Sequence, residues 1–238
     1  MANLSDRKPK DRFHGMVYGA SGSGKTELLG TFPDPYILDT DFGLETLYGK
    51  DVEYDECYVR LGDAGAKEMW PSILAKADEY VKDPPHATFC VDSLTTVMDV
   101  ATVHILAKAG RSSLLIQDYT PIYDEVTKLI VRMRRMPCNM VLTAHEEMVR
   151  DEMTGKTQIV PLVMGNKFAP KLPIFFTNIY NVVLNIPKSG TGAASRTLLV
   201  QSDGTRMAKS QSKSNQTSIE KSFDAIMQHI SITQSEKK

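Results

Sequence analysis

Long apolar runs are what this chain of 238 residues most plainly lacks. No stretch approaches the roughly 20 apolar residues that span a bilayer, and Met1–Lys8 is polar from its first residues, so a cytoplasmic, non-membrane protein is expected. Cysteine is scarce as well. The three present, Cys57, Cys90 and Cys138, show neither CxxC nor metal-ligand spacing. That excludes a disulfide framework and reads as reduced residues lying in or beside apolar runs. Nor does charge of one sign dominate: with a formal net charge of −1, the whole molecule neither demands nor forbids nucleic acid. A DNA site must therefore be a local patch.

What the chain does have is glycine at a telling place. Gly19, Ala20, Ser21, Gly22, Ser23, Gly24, Lys25 and Thr26 form a complete GxxxxGK[ST] phosphate-binding loop. The short apolar run Phe13–Tyr18 precedes it as a strand, and Thr26–Gly30 follows as a helix opening. The glycines let the backbone wrap closely enough for successive amides to point at phosphate oxygens, and the helix dipole adds favourable potential. Lys25 is placed to reach the β- and γ-phosphates of ATP, and Thr26 to put its hydroxyl on Mg²⁺, which takes few protein ligands.

Beyond the loop, strands alternate with helices. Pro35–Asp39, Tyr54–Arg60, Thr88–Asp92 and Asn139–Ala144 read as strands, and Glu68–Lys82, Ser93–Ala109 and Pro121–Met136 as helices; Ser93 is expected to cap its helix and Gly110 to end it. The fold class is α/β, a mostly parallel central sheet flanked by helices. After His145 the rhythm changes. Arg150–Lys156 reads as a hairpin tip or loop, Lys167–Thr177 as a short helix, and Asn178–Ile186 with Arg196–Gln201 as an antiparallel hairpin at the sheet's edge. The expected organisation is a flexible arm over 1–12, a core over 13–209, and a linker with a short helix and tail over 210–238, the linker character beginning near Met207.

Carboxylates collect at the ends of the predicted strands, where ligands of open α/β sheets bind. Asp92 ends Phe89–Asp92 and is the natural acid to hold Mg²⁺ together with Thr26. Asp41 is the candidate for orienting the attacking water, with Asp39, Glu45, Asp51 and Glu53 as other carboxylates nearby.

The phosphate loop, the string Leu38–Gly43, then Val91–Ser93 and the string Leu142–Glu146 together resemble the RecA-like P-loop ATPase core. Within it, they are most similar to the phage nucleotide-binding, AAA-type family that includes the ATPase branch of the Sak single-strand annealing proteins. That resemblance implies a slow, DNA-stimulated ATPase of DNA recombination, annealing or exchanging strands and working as a homo-oligomeric ring or filament on single-stranded DNA. Asp41 falls where RecA-type recombinases carry a catalytic glutamate, one methylene longer. Glu45 and Tyr48 fall at the adenine contacts, and His145 at the γ-phosphate sensor, where RecA has glutamine. Lys209 matches a basic residue offered to a neighbouring subunit's nucleotide. The two DNA loops correspond to Gly110–Gln117 and Glu146–Phe168, with Arg111, Arg150, Lys156 and Lys167 as phosphate contacts and Tyr119 and Phe168 as stacking faces. The tail after Ser210 is a dock for a neighbouring subunit or a single-strand DNA-binding protein. A motor, helicase-loader or signalling-switch NTPase without annealing activity is the alternative.

Overall fold

Four apolar runs fix the middle of the molecule. In a computed structural model, which describes residues 12–150, 155–165, 167–187 and 193–235, the strands β1 (His14–Tyr18), β2 (Pro35–Asp39), β4 (Thr88–Asp92) and β5 (Asn139–Ala144) are buried along their whole lengths. This is the signature of parallel strands covered on both faces. Between them run α1 (Lys25–Leu29), β3 (Glu53–Glu56), α2 (Met69–Lys82), α3 (Leu94–Ala109) and α4 (Tyr119–Met133). The chain continues through β6 (Glu146–Arg150), β7 (Thr157–Pro161), α5 (Leu172–Phe175), β8 (Asn178–Asn185), β9 (Ser195–Leu199), β10 (Ser218–Glu220) and α6 (Phe223–Ser235). Eight of these strands form one sheet in the order β10-β9-β8-β1-β5-β4-β2-β3, parallel from β8 to β3 and antiparallel at β9 and β10. The expected α/β class therefore holds.

Alternation along each strand divides the core in two. Met16 and Tyr18, Leu38, Phe89 and Val91, and Met140 and Leu142 point to one face, where Trp70, Ile73, Val97, Met98, Val126 and Ile130 of α2, α3 and α4 cover them. Val17, Ile37, Cys90 and Val141 point to the other, beneath Leu28 and Leu29 of α1 and Ile226 of α6. All three cysteines are free thiols and buried.

Several elements differ from expectation. The third strand is shorter, ending at Glu56, and α4 starts at Tyr119, because Pro121 is tolerated in a first turn where its missing N–H has no intrahelical partner. The aperiodic stretch after His145 is a separate two-stranded antiparallel ribbon, β6 on β7, whose tip falls partly on residues 151–154, outside the described ones. The link between β8 and β9 likewise includes residues 188–192, and the expected N-terminal arm residues 1–11, outside that set. Pro170 and Pro173 split the expected helix over 167–177 into a 3₁₀ turn (Ala169–Lys171) and α5. The β8–β9 hairpin is present, but β10 pairs outside it and forms the true edge.

Residues 207–218, expected as a linker, are held to the core. The Met207 amide donates to the Ile159 carbonyl and Lys209 exchanges backbone hydrogen bonds with Ile179, while the Ser210 hydroxyl lies 3.0 Å from His229 Nε2 and the Ser212 hydroxyl donates to the His229 carbonyl at 2.5 Å. A helix begins only at Phe223, after the strand that Ile219 joins. Among the described residues no helix is long and apolar enough to cross a membrane.

Candidate nucleotide site

The carboxyl ends of β1, β2, β4 and β5 lie side by side, which brings Gly19, Asp41, Asp92 and His145 to one rim of the sheet. Leaving β1, the chain turns through Gly22 and Gly24, with φ of 72° and 90°, into α1. Such angles strain any residue with a Cβ, and a Cβ on Gly24 would also stand 2.8 Å from Lys221 Nζ. Lys25 is buried; its ammonium donates to the Gly19 and Ala20 carbonyls at 3.0 and 2.9 Å. Burial pulls its pKa down, against the nearby charges of Asp92, Asp41 and Glu146. The Ser23 hydroxyl, beside Gly19, is buried and has no hydrogen-bond partner among the described residues. An ammonium resting on neutral carbonyls and an orphaned loop hydroxyl both fit a polyphosphate, whose charged oxygens are the stronger acceptors.

The candidate metal ligands meet directly. Thr26 donates its hydroxyl to Asp92 Oδ2 at 2.7 Å, and Thr143 donates to Oδ1 of the same carboxylate. Burial raises the Asp92 pKa, and the hydroxyls of Thr143 and Thr26 offset part of that rise. A buried carboxylate of this kind gains most from a cation placed beside it. Among the described residues no group of three or more His, Cys, Asp and Glu side chains is arranged to hold a metal. The donor set suits a hard ion that takes Thr26, Asp92, phosphate and water oxygens.

Asp41 sits across the cavity in a dense set of donors. His145 Nε2 lies 3.0 Å from Oδ2, and Ser93 donates to Oδ1 at 3.1 Å, with Thr96 donating to the same oxygen. Burial raises the Asp41 pKa, but the bonds from His145, Thr96 and Ser93 outweigh it and hold the carboxyl below its ordinary value. Ser93 begins α3 without its side chain accepting an amide of that helix, and its hydroxyl instead donates to the Asp41 carboxylate. Behind Asp41, the Asp39 carboxylate accepts the amides of Asp41 and Phe42 at 3.0 and 2.9 Å and so aims the turn. Burial pushes Asp39 up to about 6.

Lys25, Thr26, Asp41, Asp92 and His145 line one cavity of about 920 Å³, open to Arg60 and Arg196 at its rim. Glu45 and Tyr48, the expected adenine contacts, instead line a neighbouring cavity of about 270 Å³ beside β3, and the Tyr48 side chain is 82% exposed. Phe42 is common to both cavities, and Thr46 and Tyr58 face the larger one. Lys209 donates to the carbonyls of Pro173 and Phe176 at 2.6 and 3.1 Å, so its ammonium closes a turn of its own chain.

The expected DNA contacts are unevenly placed. Arg111 forms a two-pronged ion pair with Asp118, 2.8 Å on the Nη1 prong. Phe168 is buried and stacks on Tyr123, centroids 5.2 Å apart, which removes it as a face for bases: the ring gains more from the core than from solvent. Arg132 pairs with Asp78 of α2 at 2.8 Å. Arg150, Lys156 and Lys167 are exposed. Gly165, in the second expected DNA loop, lies against Tyr119 and Tyr123 at the start of α4.

Sequence reasoning missed Thr96, Thr143 and Arg196. Thr143 lay inside a motif string already noted, but nothing local marks Thr96 or Arg196, which reach the site through the packing of α3 and the pairing of β9.

The pattern of a family described as an AAA domain matches residues 12–212. The chain belongs to that family. It is a P-loop ATPase, and its fold implies nucleotide binding. No match is found among curated proteins. Among solved structures, a KaiC-like protein of the hyperthermophilic archaeon Pyrococcus horikoshii OT3 is similar, with a TM-score of 0.50 at 12% identity over 89% of this chain and 85% of that one. An ATPase from the type III secretion system of pathogenic bacteria gives a TM-score of 0.45 at 15% identity over 71% of this chain and 51% of that one. At such identity the likeness to the archaeal protein is one of fold.

Proposed function

We propose that this ATPase hydrolyses ATP with Mg²⁺ and couples nucleotide state to single-stranded DNA held by a homo-oligomer, in a recombination reaction of the annealing or strand-exchange kind. The observation that carries the reading is the Asp41–His145 pair. Asp41, held below its ordinary pKa, lines the same cavity as the phosphate loop, and its role is to accept a hydrogen bond from the attacking water. His145 joins it to the β6–β7 ribbon, and the backbone spreads that link to both strands. The His145 amide donates to the Thr95 hydroxyl at 3.0 Å, Thr95 donates to the Leu162 carbonyl at 2.8 Å, and the Leu162 amide returns to the His145 carbonyl at 2.8 Å. A change at the carboxylate thereby reaches the first residue before β6 and the first after β7. The bound nucleotide supplies the phosphoryl chemistry; this chain's residues orient water, hold the loop and report the state of the site.

The Arg111–Asp118 pair and the buried Phe168 leave fewer DNA contacts than a recombinase loop pair would offer. That favours, as second reading, a motor, helicase-loader or signalling-switch ATPase using the same coupling. Affinity for single-stranded DNA, measured with ADP and with a non-hydrolysable ATP analogue across a salt series, separates them. The expected result is tighter, strongly salt-dependent binding with the analogue, lost in His145→Ala while nucleotide binding persists. No nucleotide-dependent difference in the wild type refutes the recombinase reading. A difference retained in His145→Ala refutes the coupling role of His145.

A further inference from the structure

The antiparallel extension of the sheet reaches the phosphate loop from outside. Arg196, the second residue of β9, lines the same cavity as Lys25 and Asp92. Its Nη2 donates to the Gly22 carbonyl at 3.4 Å, a long contact, and its Cδ passes 3.3 Å from where a Cβ on Gly24 would lie. The edge that carries it is fastened to α1. Lys221, just past β10, donates to the Gly24 carbonyl at 3.2 Å and to Glu27 Oε2 at 2.5 Å, with its side chain only 11% exposed. The Phe223 amide donates to the Thr31 hydroxyl at 3.0 Å, and the Phe223 ring packs on Phe32 with centroids 4.8 Å apart. The position of β9 relative to the loop is thus set partly by contacts to Glu27, Thr31 and Phe32, which lie outside the GxxxxGK[ST] motif.

We propose that Arg196 is a phosphate ligand for the bound nucleotide, supplied in cis by β9. This rests on the nucleotide-binding reading of the cavity. The cations lining that cavity are Lys25, Arg60 and Arg196, set against the carboxylates of Glu27, Asp41 and Asp92. A nucleoside triphosphate adds several negative charges, more than one divalent ion neutralises. Lys221 is committed to Glu27 and the Gly24 carbonyl. Among the described residues Arg196 makes one long bond to a neutral carbonyl, and its guanidinium has five donors. Exchanging that carbonyl for a phosphate oxygen replaces a weak bond by a charge-assisted one, roughly twice as strong. Arg196, exposed on β9 just beyond the residues that β10 pairs, makes the exchange by rotamer change alone.

Arg196→Gln, Arg196→Ala and Arg196→Lys, each in the full chain, test this by titration with ADP and with a non-hydrolysable ATP analogue, alongside melting curves without nucleotide. The glutamine and alanine variants are expected to lose roughly 10- to 100-fold in affinity for both nucleotides. Their nucleotide-free melting temperature should match the wild type, and lysine should restore binding to within a few-fold. If Arg196→Gln binds both nucleotides like the wild type, the assignment is wrong. It is also wrong if lysine rescues nothing and all three variants melt early, since the role would then be structural and independent of charge. A wild type that binds neither nucleotide would instead overturn the nucleotide site itself.

Discussion

Asp39→Asn should make this protein more stable at neutral pH and leave it unchanged in acid. Asp39 is buried at the end of β2, where desolvation raises its carboxyl from 3.8 to about 6 despite the amides of Asp41 and Phe42. Between those two values the folded chain binds more protons than the unfolded one. Stability from this group therefore falls as pH rises from about 4 through about 6, and stays low above. The gap corresponds to about 3 kcal/mol, at 1.36 kcal/mol per pKa unit. Asparagine keeps an oxygen for the two amides but adds a buried N–H₂ that needs a partner, so a net gain of about 1–3 kcal/mol is expected at pH 7.5. For a domain of this size that is roughly 2 to 10 °C in melting temperature. The assay is denaturant or thermal unfolding of both proteins at pH 4.0 and 7.5. A difference between them that is the same at both pH values would refute the reasoning, because the charge on Asp39 would then have no cost in the folded state.

Other outcomes follow from the same cavity. Lys25→Ala should weaken ATP binding by roughly 100-fold or more, as removal of a charge-assisted phosphate contact would, while the melting curve stays close to wild type; isothermal titration beside a thermal melt checks both. Asp92→Asn should keep much of its nucleotide affinity, yet lose most turnover and its dependence on Mg²⁺; a Mg²⁺ titration of turnover identical to wild type would remove Asp92 from the metal site.

The strands around the phosphate loop were legible because each is a continuous apolar run closed by turn residues, and a strand buried on both faces has no other pattern to show. Their rim residues were legible too, since motif strings end on them. The pairing of Asp41 with His145 was not, because the two lie 104 positions apart and meet only through the order of β2, β4 and β5 in the sheet. Composition misled at the serine-rich stretch after Met207. Serine side chains there bond to neighbouring backbone and to His229, an ordering that a count of polar residues cannot reveal. β10 was equally hidden, since it is three residues long with only Ile219 buried. Ser93 carried the right residue type for a helix cap, but the fold turns its side chain to donate to a carboxylate from β2's end instead of accepting a helix amide.

The far edge of the sheet has a consequence of a different kind. β3 is a row of exposed residues, Glu53, Tyr54, Asp55 and Glu56, and among the described residues only β2 lies beside it. An unpaired strand edge is a template for adding further strands, and three carboxylates in four residues make that addition repulsive while they are ionised. Colloidal behaviour should thus be governed from this edge: replacing Glu53, Asp55 and Glu56 by neutral residues removes the guard, and self-association through β3 becomes the route by which the folded protein aggregates.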